Sequence, residues 1–374
     1  MTYKIGDLPL QALLPAIGRA EDKLARLDEI VRRSPAGEGF TERAHFFDAA
    51  AAMWVGGELV HIEDLVLHDA RMDIRAPTHE LTIAHGIVRS RRRIAGAKPD
   101  WAISDAGLAA LTGYLEPDQP AHPQAAGPDD EAIALDALDI GDEDPLAREL
   151  ANVDALLDRS RQLIERVSAE RRSSSPESVP LSVGDLLIRD PDWDEKDRLD
   201  QWKDIGREAD RLPASLGAAI LWDAWETLEP MQRQHWLGCQ LVSAYLRSRG
   251  KVASHLFSFN VGLKTVPRER RRAQGWSTRL SAFLDAMSAS AEIGMKEVVR
   301  LGQAREQMER RLRGRRASSS LPVAIDLVLT RPIVSAAMIA KAATITPRAA
   351  LNLVAELGLR EVTGRGRYRA WGII

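Results

Sequence analysis

The sequence predicts a mainly α-helical protein that ends in a winged helix-turn-helix domain. Three observations lead there. Long stretches such as "MQRQHWLGCQLVSAYLRSRG" (231–250) repeat apolar residues with a helical period. The tail places helix caps and stops in helix-turn-helix order and finishes on an alternating, arginine-rich segment, "LREVTGRGRYRAW" (359–371). From Arg300 onward there are fourteen Lys and Arg against five Asp and Glu, about +9 in a chain whose net charge is −3. An acidic body with one basic end suits a protein with a single nucleic-acid-facing module.

Composition narrows the class further. At 374 residues the chain has room for two or three domains, and 45% hydrophobic with 28% charged residues is ordinary for a soluble globular protein. No run of about 18 apolar residues predicts a membrane span. The start has no apolar stretch followed by a small-residue cleavage site, so no signal peptide is expected. A single cysteine, Cys239, excludes an intrachain disulfide and an all-cysteine metal site, and a reducing cytoplasm is the expected compartment.

An N-terminal helical region is expected over 1–115. Residues 8–33 and 41–75 read as amphipathic helices, the second capped by Thr41 and broken at Gly56-Gly57. Residues 78–96 form a helix starting at Thr78 or His79, and 104–115 a shorter one capped by Ser104. Residues 116–144 are rich in Pro, Gly and acid and hold no Lys or Arg, which reads as a linker or acidic loop. A helix at 145–172 and a polar break then lead into a helical body over 145–316. Within it "SHLFSFNVGL" (254–263) reads as a short extended piece, and "RRASSS" (315–320) as a hinge.

The tail, 321–374, is the most specific part. "LPVAIDLVLTRP" is a helix stopped by Pro332, and "SAAMIAKAATI" a second helix capped by Ser335. "TPRAALNLVAELGL" is a third, with Thr346 at N-cap, Pro347 at N1 and Gly358 as its stop. The rest alternates around "TGRG", as a hairpin does. Ala337, Ile339, Ala340, Leu351, Val354 and Leu357 are the expected small core. Thr346, Arg348, Ala349 and Asn352 then face the major groove. Arg360, Arg365, Arg367 and Arg369 run beside the backbone, with Tyr368 and Trp371 packing inward or reaching the sugar edge.

Other constellations read as structural. His79 and His85 in "HELTIAH" are six apart, not the four that a helical zinc site needs. His235 reads as a helix-surface histidine, Cys239 as core, and Trp222, Trp225, Trp236 and Trp276 as bundle packing. The runs "RSRRR" (89–93) and "RERRR" (268–272) read as solvated helix ends or loops.

The tail "TRPIVSAAMIAKAATITPRAALNLVAELGLREVTGRGRYRAW" resembles that of the Fic (filamentation-induced-by-cAMP) family almost register for register. "AMWVGGELVHIEDLV" (52–66) is similar to the family's N-terminal inhibitory segment, with Gly56 where the inhibitory glutamate belongs. "AILWDAWETLEPMQRQHWLGCQLV" (219–242) occupies the place of the catalytic motif, with Pro230 on the motif proline and Leu241-Val242 on the trailing aliphatic pair. The resemblance implies a helical Fic-like bundle. It also implies lost chemistry. Glu229 stands for the general-base histidine, Arg233 for the metal-positioning acid, Gln234-His235-Trp236 for the glycine-rich anion hole, and Leu237 for the phosphate-pairing arginine. A phosphate nest needs backbone amides that glycine exposes and bulky residues obstruct.

The expected function is duplex DNA binding, as a transcriptional regulator, by a homodimer with no cofactor, no metal and no membrane contact. The body is expected to be inactive and to dimerise or sense a small molecule that the sequence does not identify. The alternatives are an interaction scaffold of a toxin–antitoxin-like pair and a divergent AMP transferase that uses Glu229, Arg233 or His235.

Overall fold

Thr78, Ser104, Asp194, Ser335 and Thr346 each open a helix by accepting a hydrogen bond from the amide three residues on, at 2.9–3.2 Å. Each such cap stabilises its helix by about 1 kcal/mol. The structure is a computed structural model that describes residues 5, 8–72, 76–113, 193–312, 320–363 and 369–373. These belong to one compact unit. The expected acidic linker (116–144), the helix at 145–172 and most of "RRASSS" lie outside the described residues.

The first half holds α1 (Leu10–Arg33), α2 (Gly37–Gly56), α3 (Ile62–Asp69), α4 (His79–Gly96) and α5 (Asp105–Thr112). The second holds α6 (Glu195–Ala209), α7 (Ala214–Leu228), α8 (Leu237–Ser248), α9 (Phe259–Leu263), α10 (Arg268–Arg271) and the long α11 (Trp276–Leu312). The tail adds α12 (Leu321–Thr330), β1 (Val334–Ser335), α13 (Ala336–Ala343), α14 (Pro347–Leu357), β2 (Arg360–Glu361) and β3 (Ala370–Gly372). The architecture is mainly helical with one small antiparallel sheet.

The sequence of α7 leaves it no polar stripe from Ala214 to Ala224, and it is buried on every side there. The same holds for α8 from Leu237 to Leu246. Helices buried all round form the centre of a bundle. Two glycines let them approach: a Cβ on Gly217 would lie 2.5 Å from the Tyr245 hydroxyl, and one on Gly238 would lie 2.4 Å from the Trp225 indole. Helix α1 runs along α11, and α12 packs on α2, where Gly39 admits the Leu329 carbonyl. One apolar core therefore runs from α1 through to Trp371 of β3.

Several expectations are corrected. The "RSRRR" run is solvated only in part: Arg89 and Arg93 are exposed, but Arg91 is fully buried, bonding Asp48 at 2.5 Å and the carbonyls of Leu256 and Phe257. Asp48 also accepts from the Asn260 amide and side chain, which ties α2, α4 and α9 into one polar knot. Arg92 pairs with Asp69, and Arg93 stacks on Trp101. Thr41 lies inside α2, where its hydroxyl bonds the Gly37 carbonyl, because the helix already begins at Gly37. The break expected at Gly56-Gly57 is present: α2 ends at Gly56, Gly57 at φ 97° caps it, and α3 follows. "SHLFSFNVGL" is not a strand: its second half is α9. The helix expected from 231 begins only at Leu237, because Glu229 ends α7 at φ 44° and a loop follows.

Candidate nucleic-acid interface

Helix α13 ends at Thr344, which adopts φ 52° and ψ 49°, and Thr346 then caps α14 with Pro347 in its first turn. A β-branched residue seldom adopts that left-handed conformation. Here it sets the tight turn between the two helices. Gly358, at φ 61°, ends α14 at no such cost.

Helix α14 buries Ala350, Val354 and Leu357. This corrects two assignments. Leu351 is 43% exposed, and Ala337 of α13 is exposed as well, while Met338 and Ala350 take the inner places. Arg348, Leu351, Asn352 and Ala355 recur at helical spacing and all are exposed, so they form one uncovered face of α14. Thr346 and Pro347 at its start are exposed too, while Ala349 is half-buried. A guanidinium and an amide on such a face suit purine edges, and an exposed leucine suits a thymine methyl.

The three strands pair in the order β1-β3-β2, with Val334 opposite Trp371 and Arg360 opposite Gly372. Trp371 is 5% exposed and packs inward. Arg369 bonds Glu361 across the sheet at 2.7 Å and lies over the Trp371 ring at 5.3 Å. Arg360 is exposed on β2. Arg365, Arg367 and Tyr368 lie outside the described residues. Lys341, exposed on α13, was not among the expected contacts. Its signal was that it is the one charged residue in that alanine-rich helix. Lys341, Arg348 and Arg360 make no ion pair among the described residues.

The module is anchored by arginines from the body. Arg43 of α2 donates to the carbonyls of Val328 and Arg331 at the end of α12. Arg300 of α11 donates to the Ile373 carbonyl beyond β3, and Arg311 to the Glu356 carbonyl near the end of α14. Asp69 of α3 pairs with Arg331 at 2.7 Å. Arg43 and Arg311 meet carbonyls at helix ends, where the helix dipole favours positive charge.

The loop between α7 and α8 holds the other expected site. Glu229, Arg233 and His235 are exposed, Gln234 and Trp236 half-buried, and Pro230 and Leu237 buried. His235 is on this loop, not on a helix surface as expected, and its Nε2 bonds Glu226 at 2.8 Å. That hydrogen bond raises its pKa above the usual histidine value. The Trp225 indole N–H holds the His235 carbonyl at 3.0 Å. Arg233, His235 and Trp236 line a cavity of about 630 Å³ with Lys264, Arg268 and Arg272. Trp222 lines it too, besides packing edge-on against Phe259 and Phe283. Burial pushes the neighbouring Cys239 thiol well up, which leaves it unreactive.

Residues 321–374, from α12 through β3, match the family described as "HTH DNA binding domain". Residues 187–313 match the family described as "Protein of unknown function (DUF1612)". Over 383 aligned residues, covering 100% of both chains, the protein is 45% identical to "Uncharacterized protein y4cF" of Sinorhizobium fredii (strain NBRC 101917 / NGR234). The chain belongs to the y4cF family.

In this family member the helix-turn-helix carries the recognisable ligand chemistry, and the DUF1612 stretch supplies α6 to α11. The basic run at 268–272 is divided: Arg270 pairs with Asp285 and Arg271 holds the Val266 carbonyl. No helix among the described residues is long and apolar enough to cross a membrane.

Proposed function

We propose that the protein is a cytoplasmic transcriptional regulator that binds duplex DNA as a homodimer, laying α14 in the major groove and the β2–β3 hairpin along the backbone. The observation that carries this reading is the uncovered face of α14, with Arg348, Leu351 and Asn352 exposed on a helix whose opposite face is fully packed. Arg348, Lys341, Arg360 and the arginines of the hairpin supply cations for phosphates. Paired modules on a pseudo-palindromic site are the usual way such a domain gains affinity, which favours a dimer. Selection of bound duplexes from a random pool tests the proposal: a recurrent half-site is expected, and recovery of no enriched sequence and no bound DNA contradicts it.

In this reading the body is a Fic-like bundle without catalysis. Leu237, at the place of the phosphate-pairing arginine, is fully buried in α8 and cannot neutralise a ligand. Trp236 and Gln234 obstruct what glycines would leave open.

One observation favours a second reading, a divergent nucleotidyl transferase. His235 is paired with Glu226 beside a cavity that also holds Arg233, Arg268 and Arg272. Micromolar ATP binding that is lost in Arg233→Ala, with label transferred to protein, would establish it; absence of both leaves the body non-catalytic.

A further inference from the structure

A second cavity, of about 620 Å³, shares Trp54 and Lys264 with the one beside the 229–236 loop but opens between α2, residues 59–63 and α11. Its size is that of a small-molecule site, which typically spans about 300–1,000 Å³. Four exposed large apolar residues line it: Phe47, Trp54, Leu59 and Ile293, from 36% to 70% exposed. Exposed apolar side chains are unremarkable when scattered, but four lining one concavity mark a binding site.

The polar groups of the lining define the ligand further. Among the lining residues Arg43, Lys264, Lys296 and Arg300 outnumber Glu63 and Glu297, which leaves a positive cavity. Glu297 is shared by Arg43 and Arg300, whereas Lys296 is exposed. At the buried end, the Ser254 hydroxyl donates to Asp28 at 2.7 Å and therefore accepts from His255 Nδ1 at 2.9 Å. His255 Nε2 is then a bare acceptor. It is buried without a partner, as is the Ser258 hydroxyl, and both residues line the cavity. An unpaired buried acceptor is costly to the fold, and a ligand N–H or O–H would satisfy it.

We propose that this cavity binds a small apolar carboxylate bearing one amide N–H or hydroxyl, and that its occupancy is transmitted to the winged module. Arg43 and Arg300 line the cavity and at the same time hold carbonyls of Val328, Arg331 and Ile373 in that module. A ligand carboxylate competes with Glu297 for the two guanidiniums and so acts on the groups that seat α12 and β3. The ligand site stands on the cavity alone; the coupling rests on the DNA-binding reading.

The probe is N-decanoylglycine, which combines an alkyl chain, an amide N–H and a carboxylate, measured by calorimetry on the full chain. Saturable binding, one molecule per chain, is expected. Lys296→Glu, a surface change outside the core, should weaken it at least about tenfold by reversing a charge in the lining. Ala50→Trp should abolish it by filling the cavity. A decyl cation of the same chain length should not bind. Failure of N-decanoylglycine to bind, or equal binding to Lys296→Glu and of the cation, overturns the site. With a random-sequence duplex pool present, the probe should change DNA affinity about fivefold or more, and DNA should change probe affinity by the same factor. Probe binding and DNA binding without mutual effect overturn the coupling. Probe binding with no DNA binding leaves the site standing and defeats the DNA-binding reading instead.

Discussion

Arg43 Nη1 donates to the carbonyl oxygen of Arg331 at 2.5 Å, joining the second helix of the body to the residue that closes the first helix of the winged module. Burial lowers the Arg43 pKa to about 10, so the guanidinium stays charged at neutral pH. Replacing it by alanine leaves two helix-end carbonyls without their donor and Glu297 with Arg300 alone. Arg43→Ala should lose about 2–4 kcal/mol of stability, read as a lowered urea midpoint. A loss below about 1 kcal/mol would show that the module is seated by apolar packing alone.

The polar knot around Asp48 makes a stronger demand. Asp48 and Arg91 are both fully buried, and Arg91 has no other carboxylate within reach among the described residues. Asp48→Ala strands a buried guanidinium and should cost about 3–5 kcal/mol, measured by denaturant unfolding. Removing both partners, as Asp48→Ala with Arg91→Met, should recover part of that loss; a double variant worse than the sum of the singles would contradict the pairing.

Acid should destabilise the fold through its buried histidines. Burial holds the His255 pKa down to about 4, and His45 is held well below its usual value for the same reason. Above about pH 6.5 these rings are neutral in both states and the fold keeps its full stability. As pH falls from about 6.5 to about 4, the unfolded chain takes up protons that the folded chain refuses, so stability drains across that window. His255 alone contributes on the order of 3 kcal/mol to the effect. Urea midpoints near pH 7 and pH 5 check this; equal midpoints would refute the burial of both rings.

Gly238 lets the Trp225 indole lie against α8, with no room for a Cβ. Gly238→Ala should overpack the centre of the bundle and cost about 1–3 kcal/mol, with a change in tryptophan emission. An unchanged Tm and spectrum would mean that α7 and α8 are packed less closely than described.

Much of this was legible in the sequence because it is local. Thr78, Ser104, Ser335, Thr346 and Gly358 are short-range signals, and each lies where its helix starts or stops. What was not legible depends on partners far along the chain. Arg91 reads as one of five residues in a basic run, and only Asp48, 43 positions away, makes it core. Leu351 reads as core by its hydrophobicity, yet α14 turns the smaller Ala350 inward because α13 packs so close. His235 reads as helical because apolar spacing continues through it, but Glu229 at positive φ has already ended α7. Lys341, a single lysine among alanines, signals an exposed position, but only the structure sets it beside α14. The anchoring arginines Arg43, Arg300 and Arg311 bond backbone carbonyls, which no side-chain motif announces.

The most direct measurement of the central claim is duplex DNA binding across a salt series, for the native protein and for the triple variant Lys341→Ala, Arg348→Ala, Arg360→Ala. With the hairpin arginines included, about six cations should give a log–log slope of about −5, and the triple variant should flatten it by about 3. Binding that is absent, or that ignores salt, or that the triple variant leaves unchanged, would contradict the assignment of α14 and its hairpin as the DNA-binding surface.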